Sequence, residues 1–153
     1  MTSIVLIQPE IPGNTGAVGR TCVALDMELV LIRPLGFDIS DKRVKRSGLD
    51  YWQHIRLVEF ASWEAFLEER APRSDQLFLF EEYAQRSFYE PEYPDDAYLV
   101  FGQETKGIPQ PIVEAHREAL VSLPMRSDKV RSLNLANSVA AAAYQAMRGQ
   151  LTR

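Results

Sequence analysis

Short apolar runs of four or five residues recur along the chain and alternate with stretches whose apolar residues repeat at helical spacing, and this alternation leaves few folds open. Ile4 to Gln8, Glu28 to Ile32, Arg56 to Phe60, Leu77 to Phe80 and Tyr98 to Phe101 read as strands, with one more near Ala119 to Leu123. After the turn residues Pro9, Pro12 and Gly13, the set Ala17, Val18, Cys22 and Leu25 follows the 3.6-residue period, and Asn14 or Thr15 is placed to cap it. Ser62 offers an N-cap for a helix that turns Trp63, Phe66 and Leu67 inward, and a final helix runs from about Leu133 to Arg148. The fold class is α/β, a mostly parallel sheet with helices on both faces.

A chain of 153 residues buries one real core, so residues 1–153 are expected to form a single domain. No apolar run approaches the about 18 residues needed to span a membrane. The start MTSIVLIQPEIPGN lacks the basic flank and small-residue cleavage site of a secretory signal, so a cytoplasmic protein is expected. The single cysteine, Cys22, has no internal disulfide partner, and His54 and His116 are far apart, so neither a metal nor a disulfide framework is implied.

The charges are segregated. Residues 59–96 hold eleven acids against three bases, a local balance of −8 that leaves +4 for the rest of a chain whose formal total is −4. Lys42, Arg43, Lys45 and Arg46 form one dense basic run, and Arg126, Lys129 and Arg131 form another. Either could follow a phosphate backbone, because attraction acts over a screening length of about 8–10 Å and an acidic total does not cancel it; either alone also reads as a solvated face.

Three loops carry the chemistry. Gly13-Asn14-Thr15-Gly16-Ala17-Val18-Gly19 joins a strand to a helix, but its G-x-x-G-x-x-G spacing lacks the paired glycines of a dinucleotide fingerprint. Arg33, rather than an acid, stands near the position that would meet a ribose diol, which weakens NAD binding and leaves NADP open. The bland reading is tight packing through Gly16 and Gly19. Phe101 to Pro109 follows the carboxyl end of a strand, where open α/β sheets place ligands, and its glycines let backbone come close to a flat group. Glu104 in that loop is either a cap for local amides or the partner of a cation. The third segment is Leu123-Pro124-Met125 followed by Arg131-Ser132-Leu133-Asn134-Leu135-Ala136-Asn137, in which Ser132 and Asn134 stand where the last helix begins and could cap it or bond a ligand. Ala136, Ala140, Ala143 and Met147 share one face of that helix, open either to an internal neighbour or to a second copy.

Together these segments resemble the three motifs of the SpoU/TrmH-type RNA 2′-O-methyltransferases of the SPOUT superfamily. Asn14 with Arg20 in N-x-G-x-x-x-R is similar to the first motif, Phe101 to Pro109 to the second, and Leu123-Pro124-Met125 with Ser132 to Asn137 to the third. Pro9-Glu10-Ile11-Pro12, Asp41-Lys42-Arg43 and Gly48-Leu49-Asp50-Tyr51 are similar to the TrmL-like branch, so the resemblance covers nearly the whole chain. Mild departures are Gln103, where the branch often has proline, Lys106, where it often has arginine, and Gly13, where proline is common.

The resemblance implies a C-terminal trefoil knot, a homodimer, and S-adenosyl-L-methionine (SAM) held by Phe80, Gly102, Leu123 and Ser132 with Glu104, Gly107, Met125 and Leu133 beside them. It implies methylation of a tRNA ribose at the wobble nucleotide of the anticodon stem-loop, cytidine or carboxymethylaminomethyluridine. Arg20 and Asn134 would act at the reacting centre and Lys42, Arg43, Lys45 and Arg46 on the RNA. An NADP-binding reductase fragment and a non-catalytic RNA-binding module on the same fold are the rival readings.

Overall fold

The structure is a computed structural model, and it describes residues 1–40, 42–46 and 51–153, with the side chains of 45 and 46 outside that description. Asp41, Gly48, Leu49 and Asp50, which carry part of the resemblance, therefore lie outside the described residues.

Six strands form one sheet in which every pairing is parallel: β1 (Ser3–Ile7), β2 (Glu28–Ile32), β3 (Arg56–Phe60), β4 (Leu77–Phe80), β5 (Tyr98–Phe101) and β6 (Leu120–Val121). Their order across the sheet is β3-β2-β1-β5-β4-β6. The chain builds outward from β1 in one direction, then crosses to the other side for β4, β5 and β6. The strand order thus reverses between β1 and β5, and the crevice at their carboxyl ends is where such sheets bind ligands. The expected sixth strand shrinks to two residues, because β6 pairs only with β4, and Ser122 continues with a single bridge to Ser87.

Alternate residues of each strand face opposite layers, so a run such as Leu77-Phe78-Leu79-Phe80 buries apolar groups on both sides. On one face Ile4, Leu6, Leu29, Leu31, Leu99 and Phe101 pack under α1 (Pro12–Ala24) and α5 (Leu135–Ala146). On the other, Val5, Ile7, Val30, Ile32, Leu79 and Val100 pack under α3 (Trp63–Arg70) and α4 (Gln110–Ala115). Ser62 caps α3 by accepting from the Ala65 N–H at 3.1 Å, a bond worth about 1 kcal/mol at such a position. The fully buried Phe66 of that helix contributes roughly another 1.5–3 kcal/mol by leaving water. Arg70 at the end of α3 forks onto the Glu28 carboxylate at 2.9 and 3.0 Å, which fixes the helix against β2.

One expectation fails and one open alternative is settled. Neither Asn14 nor Thr15 caps α1: the helix starts earlier, with Ile11 at the cap and Pro12 in the first turn, where a proline's missing N–H costs nothing. The small-residue face of α5 is internal for the most part, since Ala143 and Met147 are buried in the core and α5 packs against α1. The outward face of α5 instead exposes Asn137, Ala141 and Tyr144, and α6 (Arg148–Leu151) closes the chain.

Candidate active site

The carboxyl end of β5 runs straight into a closed loop. Gln103 and Gly107 exchange backbone hydrogen bonds at 3.0 and 2.9 Å, which brings the chain back over Gly102. A Cβ at Gly102 would overlap the Gly107 carbonyl, and Gly107 itself has φ +71°, so both ends of this turn require glycine. The turn forms one wall of a cavity of about 630 Å³, a size suited to a nucleoside-sized ligand. Phe80 and Phe101, adjacent across β4 and β5 and stacked at 4.7 Å, also line it. The segment after β6 and the start of α5 supply Leu123, Met125, Ser132, Leu133 and Asn134, and the cap and first turn of α1 supply Ile11 and Asn14.

All eight residues expected to hold the cofactor, Phe80, Gly102, Glu104, Gly107, Leu123, Met125, Ser132 and Leu133, therefore face one cavity, and so does Asn134. Arg20 does not line it. It projects from α1 into solvent, six residues or about 9 Å along the helix from Asn14. Lys42 and Arg43 are exposed on α2 (Lys42–Arg46), which packs against α1, while Val44 between them is buried. The side chains of Lys45 and Arg46 lie outside the described residues.

The polar groups of the cavity are already partly engaged. Glu104 turns its carboxylate onto the backbone N–H groups of Glu10 and Ile11, at 2.9 and 3.3 Å. Its work is to cap the loop that enters α1, so it meets amides of a distant segment in place of the local amides or the cation expected. Glu10 answers by accepting from the Thr105 hydroxyl at 2.7 Å and the Thr105 N–H at 3.1 Å, bonds that hold its carboxyl below the usual carboxylate range. Asn134 caps α5, its Oδ1 accepting from the Ala136 and Asn137 N–H groups, while its Nδ2 donates to Asn14 Oδ1 at 3.1 Å. The loop that leads into the first motif is thus tied to the second through Glu104, and the first motif itself to the third through Asn134.

Glu81 was not expected from the sequence. It is a buried carboxyl on the cavity wall that accepts from the Ile108 N–H; burial pushes its pKa up, the Ile108 bond opposes this, and Glu82 beside it adds to the rise. Read as one member of a long acidic stretch, it carried no signal that it would point inward. Arg33, the residue that kept NADP open, pairs with Glu59 at 3.1 Å and is not part of this cavity.

Residues 1–144 match the model of the SpoU rRNA Methylase family. The chain belongs to the SpoU methylase family. Among its SpoU relatives, the tRNA (cytidine(34)-2′-O)-methyltransferase of Burkholderia cenocepacia is 40% identical over 149 residues, covering 97% of this chain and 95% of that protein. A solved structure from a study of methylation of the 2-OH of C/U34 on tRNA superimposes with a TM-score of 0.91 at 44% identity, covering all of this chain and 98% of the other. The SpoU methyltransferase AviRb from Streptomyces viridochromogenes in complex with AdoMet shares the fold, with a TM-score of 0.80 at 24% identity over 99% of this chain and 61% of that one. The parallel sheet with flanking helices is therefore the SpoU architecture. Among the described residues no helix is long and apolar enough to cross a membrane, and no three metal-ligating side chains gather.

Proposed function

We propose that this chain methylates the ribose 2′-hydroxyl of a tRNA wobble nucleotide, cytidine or uridine at position 34, with SAM as methyl donor. The observation that carries the reading is the convergence of the three motif loops on one cavity at the switch point of the sheet. That cavity fits the donor. Its glycine cradle admits close backbone approach, Phe80, Phe101 and Leu123 offer apolar surface to a purine and a thioether, and the remaining lining is polar enough for an amino-acid tail. Bound there, SAM supplies an electrophilic methyl group on a sulfonium, whose departure as a neutral thioether needs no protonation.

The residues of the chain then have positional tasks. Glu104 and Glu10 hold the cradle against the entry of α1, and Asn134 fixes the start of α5 against Asn14. Arg20 is assigned to the target nucleotide as a phosphate clamp whose charge also lowers the pKa of the ribose hydroxyl. Arginine keeps its proton at neutral pH, so a clamp is the better role than a base. Because Arg20 stands outside the cavity of its own chain, the reading includes a homodimer in which two subunits compose the substrate surface; the exposed Tyr144 on the outer face of α5 supports such an interface. The C-terminal knot, a single catalytic domain over residues 1–153 and a cytoplasmic location belong to the same reading.

The deciding experiment is methyl incorporation from labelled SAM into unmodified tRNAs, followed by mapping of the product nucleotide. A 2′-O-methylated residue 34 is expected. Label at another position, or tight NADPH binding in calorimetry with none for SAM, would overturn the assignment.

A further inference from the structure

Arg20 is exposed and, among the described residues, makes no ion pair, yet it is not without support. Its guanidinium carbon lies over the ring of Tyr51, 5.5 Å from the centroid. Tyr51 opens the short turn Trp52–His54, and that turn is seated directly on α1. A Cβ at Gly19 would come within 2.5 Å of Ile55 Cδ1 and 3.2 Å of the Trp52 ring, so the glycine lets the segment lie close on α1 without displacing these side chains. The Tyr51 hydroxyl reaches the Gly16 carbonyl oxygen at 3.5 Å, at the outer limit of a hydrogen bond, and Ile55 packs into the core. The ring is thus anchored from both ends of the same helical stretch that carries Arg20.

An aromatic support does something an acidic one could not. A carboxylate beside Arg20 would occupy the N–H groups that a nucleotide needs, and would repel a phosphate. A ring takes up the face of the guanidinium by cation–π attraction and leaves the five N–H donors on its edge free. Burial raises the Tyr51 pKa, with the Arg20 charge opposing that rise, so the phenol stays neutral at the pH of the reaction. An arginine held in this way also loses much of its rotamer freedom before substrate arrives, which is the condition for efficient positioning.

We infer that Tyr51 is the positioning residue for Arg20: its ring holds the guanidinium over α1 with the donor edge presented to the target nucleotide. The inference rests on the assignment of Arg20 to that nucleotide, and its test separates the two. Turnover and SAM affinity are measured for Tyr51→Leu, Tyr51→Phe, Arg20→Ala and the Tyr51→Leu/Arg20→Ala double variant, and the Arg20 δ-methylene resonances are recorded by NMR. Tyr51→Leu is expected to lower kcat by about three- to thirtyfold with SAM affinity unchanged, the span of cation–π contributions. Tyr51→Phe, which keeps the ring, recovers most of that loss. In the Arg20→Ala background Tyr51→Leu costs nothing further. The Arg20 methylene resonances, shifted by the ring current in the parent, move to random-coil positions in Tyr51→Leu and stay shifted in Tyr51→Phe, a readout that folding alone would not move.

An equal loss from Tyr51→Leu with and without Arg20, or unshifted Arg20 resonances in the parent, would overturn the role of Tyr51 while leaving Arg20 in place. Wild-type turnover in Arg20→Ala would overturn both. Should Tyr51→Leu fold poorly, Tyr51→Trp replaces it: a retained ring-current shift and retained turnover support the inference, and loss of both despite a native melting temperature contradicts it.

Discussion

Glu104 and Glu10 bind each other's loops and not each other. Each carboxylate accepts two donors at the opposite loop, Glu104 from the amides of Glu10 and Ile11, Glu10 from the amide and hydroxyl of Thr105. Four charge-assisted bonds therefore join the entry of α1 to the cofactor cradle, and exposure to water weakens each of them.

Replacing the acceptor should open the clamp. In Glu104→Gln one amide oxygen remains for Glu10, and the new NH2 meets the Ile11 N–H donor head-on. SAM affinity is expected to fall about tenfold, a change equivalent to about 1.4 kcal/mol, and amide exchange at Glu10 and Ile11 to accelerate. Glu114→Gln, on the exposed surface of α4 and paired among the described residues with Gln110 and Arg117, serves as the control that changes neither. Calorimetry with hydrogen-exchange mass spectrometry measures both quantities; unchanged exchange at the two amides would show that the clamp is not closed in solution.

The clamp also has a pH window. Thr105 depresses the Glu10 pKa, so the folded state holds this carboxylate ionised more firmly than the unfolded chain does. Its contribution is fully present above the ordinary value of 4.5 and is lost as pH falls through the depressed folded value. Protection of the Thr105 amide is therefore expected to be flat from neutrality down to about pH 4.5 and to disappear below it. Glu10→Gln should show no such step.

Glu81 behaves in the opposite sense. Its folded pKa is raised by burial, so the folded state binds the proton more strongly and its contribution to stability falls as pH rises from the ordinary 4.5 through the folded value. Glu81→Gln keeps an acceptor for the Ile108 N–H and a donor for Glu82 while removing the buried charge. The variant is expected to match the parent melting temperature in acid and to exceed it once pH has risen through the folded value. Parallel melting curves at all pH values would place the Glu81 carboxyl in contact with water.

Much of this was legible in the sequence because it depended on local pattern. β2, β3, β4 and β5 begin and end at the expected residues, and Ser62 is the cap its position announced. The cavity loops were legible through the resemblance of three separated motifs. What escaped was everything set by contacts between distant segments. Nothing local distinguishes Glu10 or Glu104 as a clamp, since each finds its donors more than ninety residues away. Glu81 looked like one acid among many, and its burial follows from the return of the chain at Ile108. The start of α1 was misplaced because Asn14 and Thr15 are good caps in isolation, while Pro12 fixes the first turn ahead of them.

Thr15 shows the result of that shift. Within α1 its side chain is fully buried, and among the described residues no group pairs with its hydroxyl. A buried hydroxyl without a partner is destabilising by about 1–3 kcal/mol relative to a satisfied one. Valine has the same branched shape without the polar atom, so Thr15→Val is expected to stabilise the fold by about 1 kcal/mol in denaturant titration. A loss of stability would mean that the hydroxyl is satisfied by bound solvent.

Arg20 and the basic helix α2 should fail in different ways. Arg20→Ala removes a donor proposed to act at the reacting ribose, and single donors of that kind are worth about a hundredfold in turnover. The loss should fall on kcat, with SAM affinity preserved, because Arg20 lies outside the cavity that would hold the cofactor. Lys42 and Arg43 stand exposed on α2, where they are proposed to meet the phosphate backbone. Lys42→Ala with Arg43→Ala should weaken tRNA binding and flatten the log–log salt dependence by about two, roughly one for each lost phosphate contact, with kcat at saturating tRNA unchanged. Filter binding across a salt series, together with single-turnover rates, separates the two outcomes. If the α2 variant lost kcat at saturating tRNA while the Arg20 variant lost only affinity, the roles assigned to the two sites would have to be exchanged.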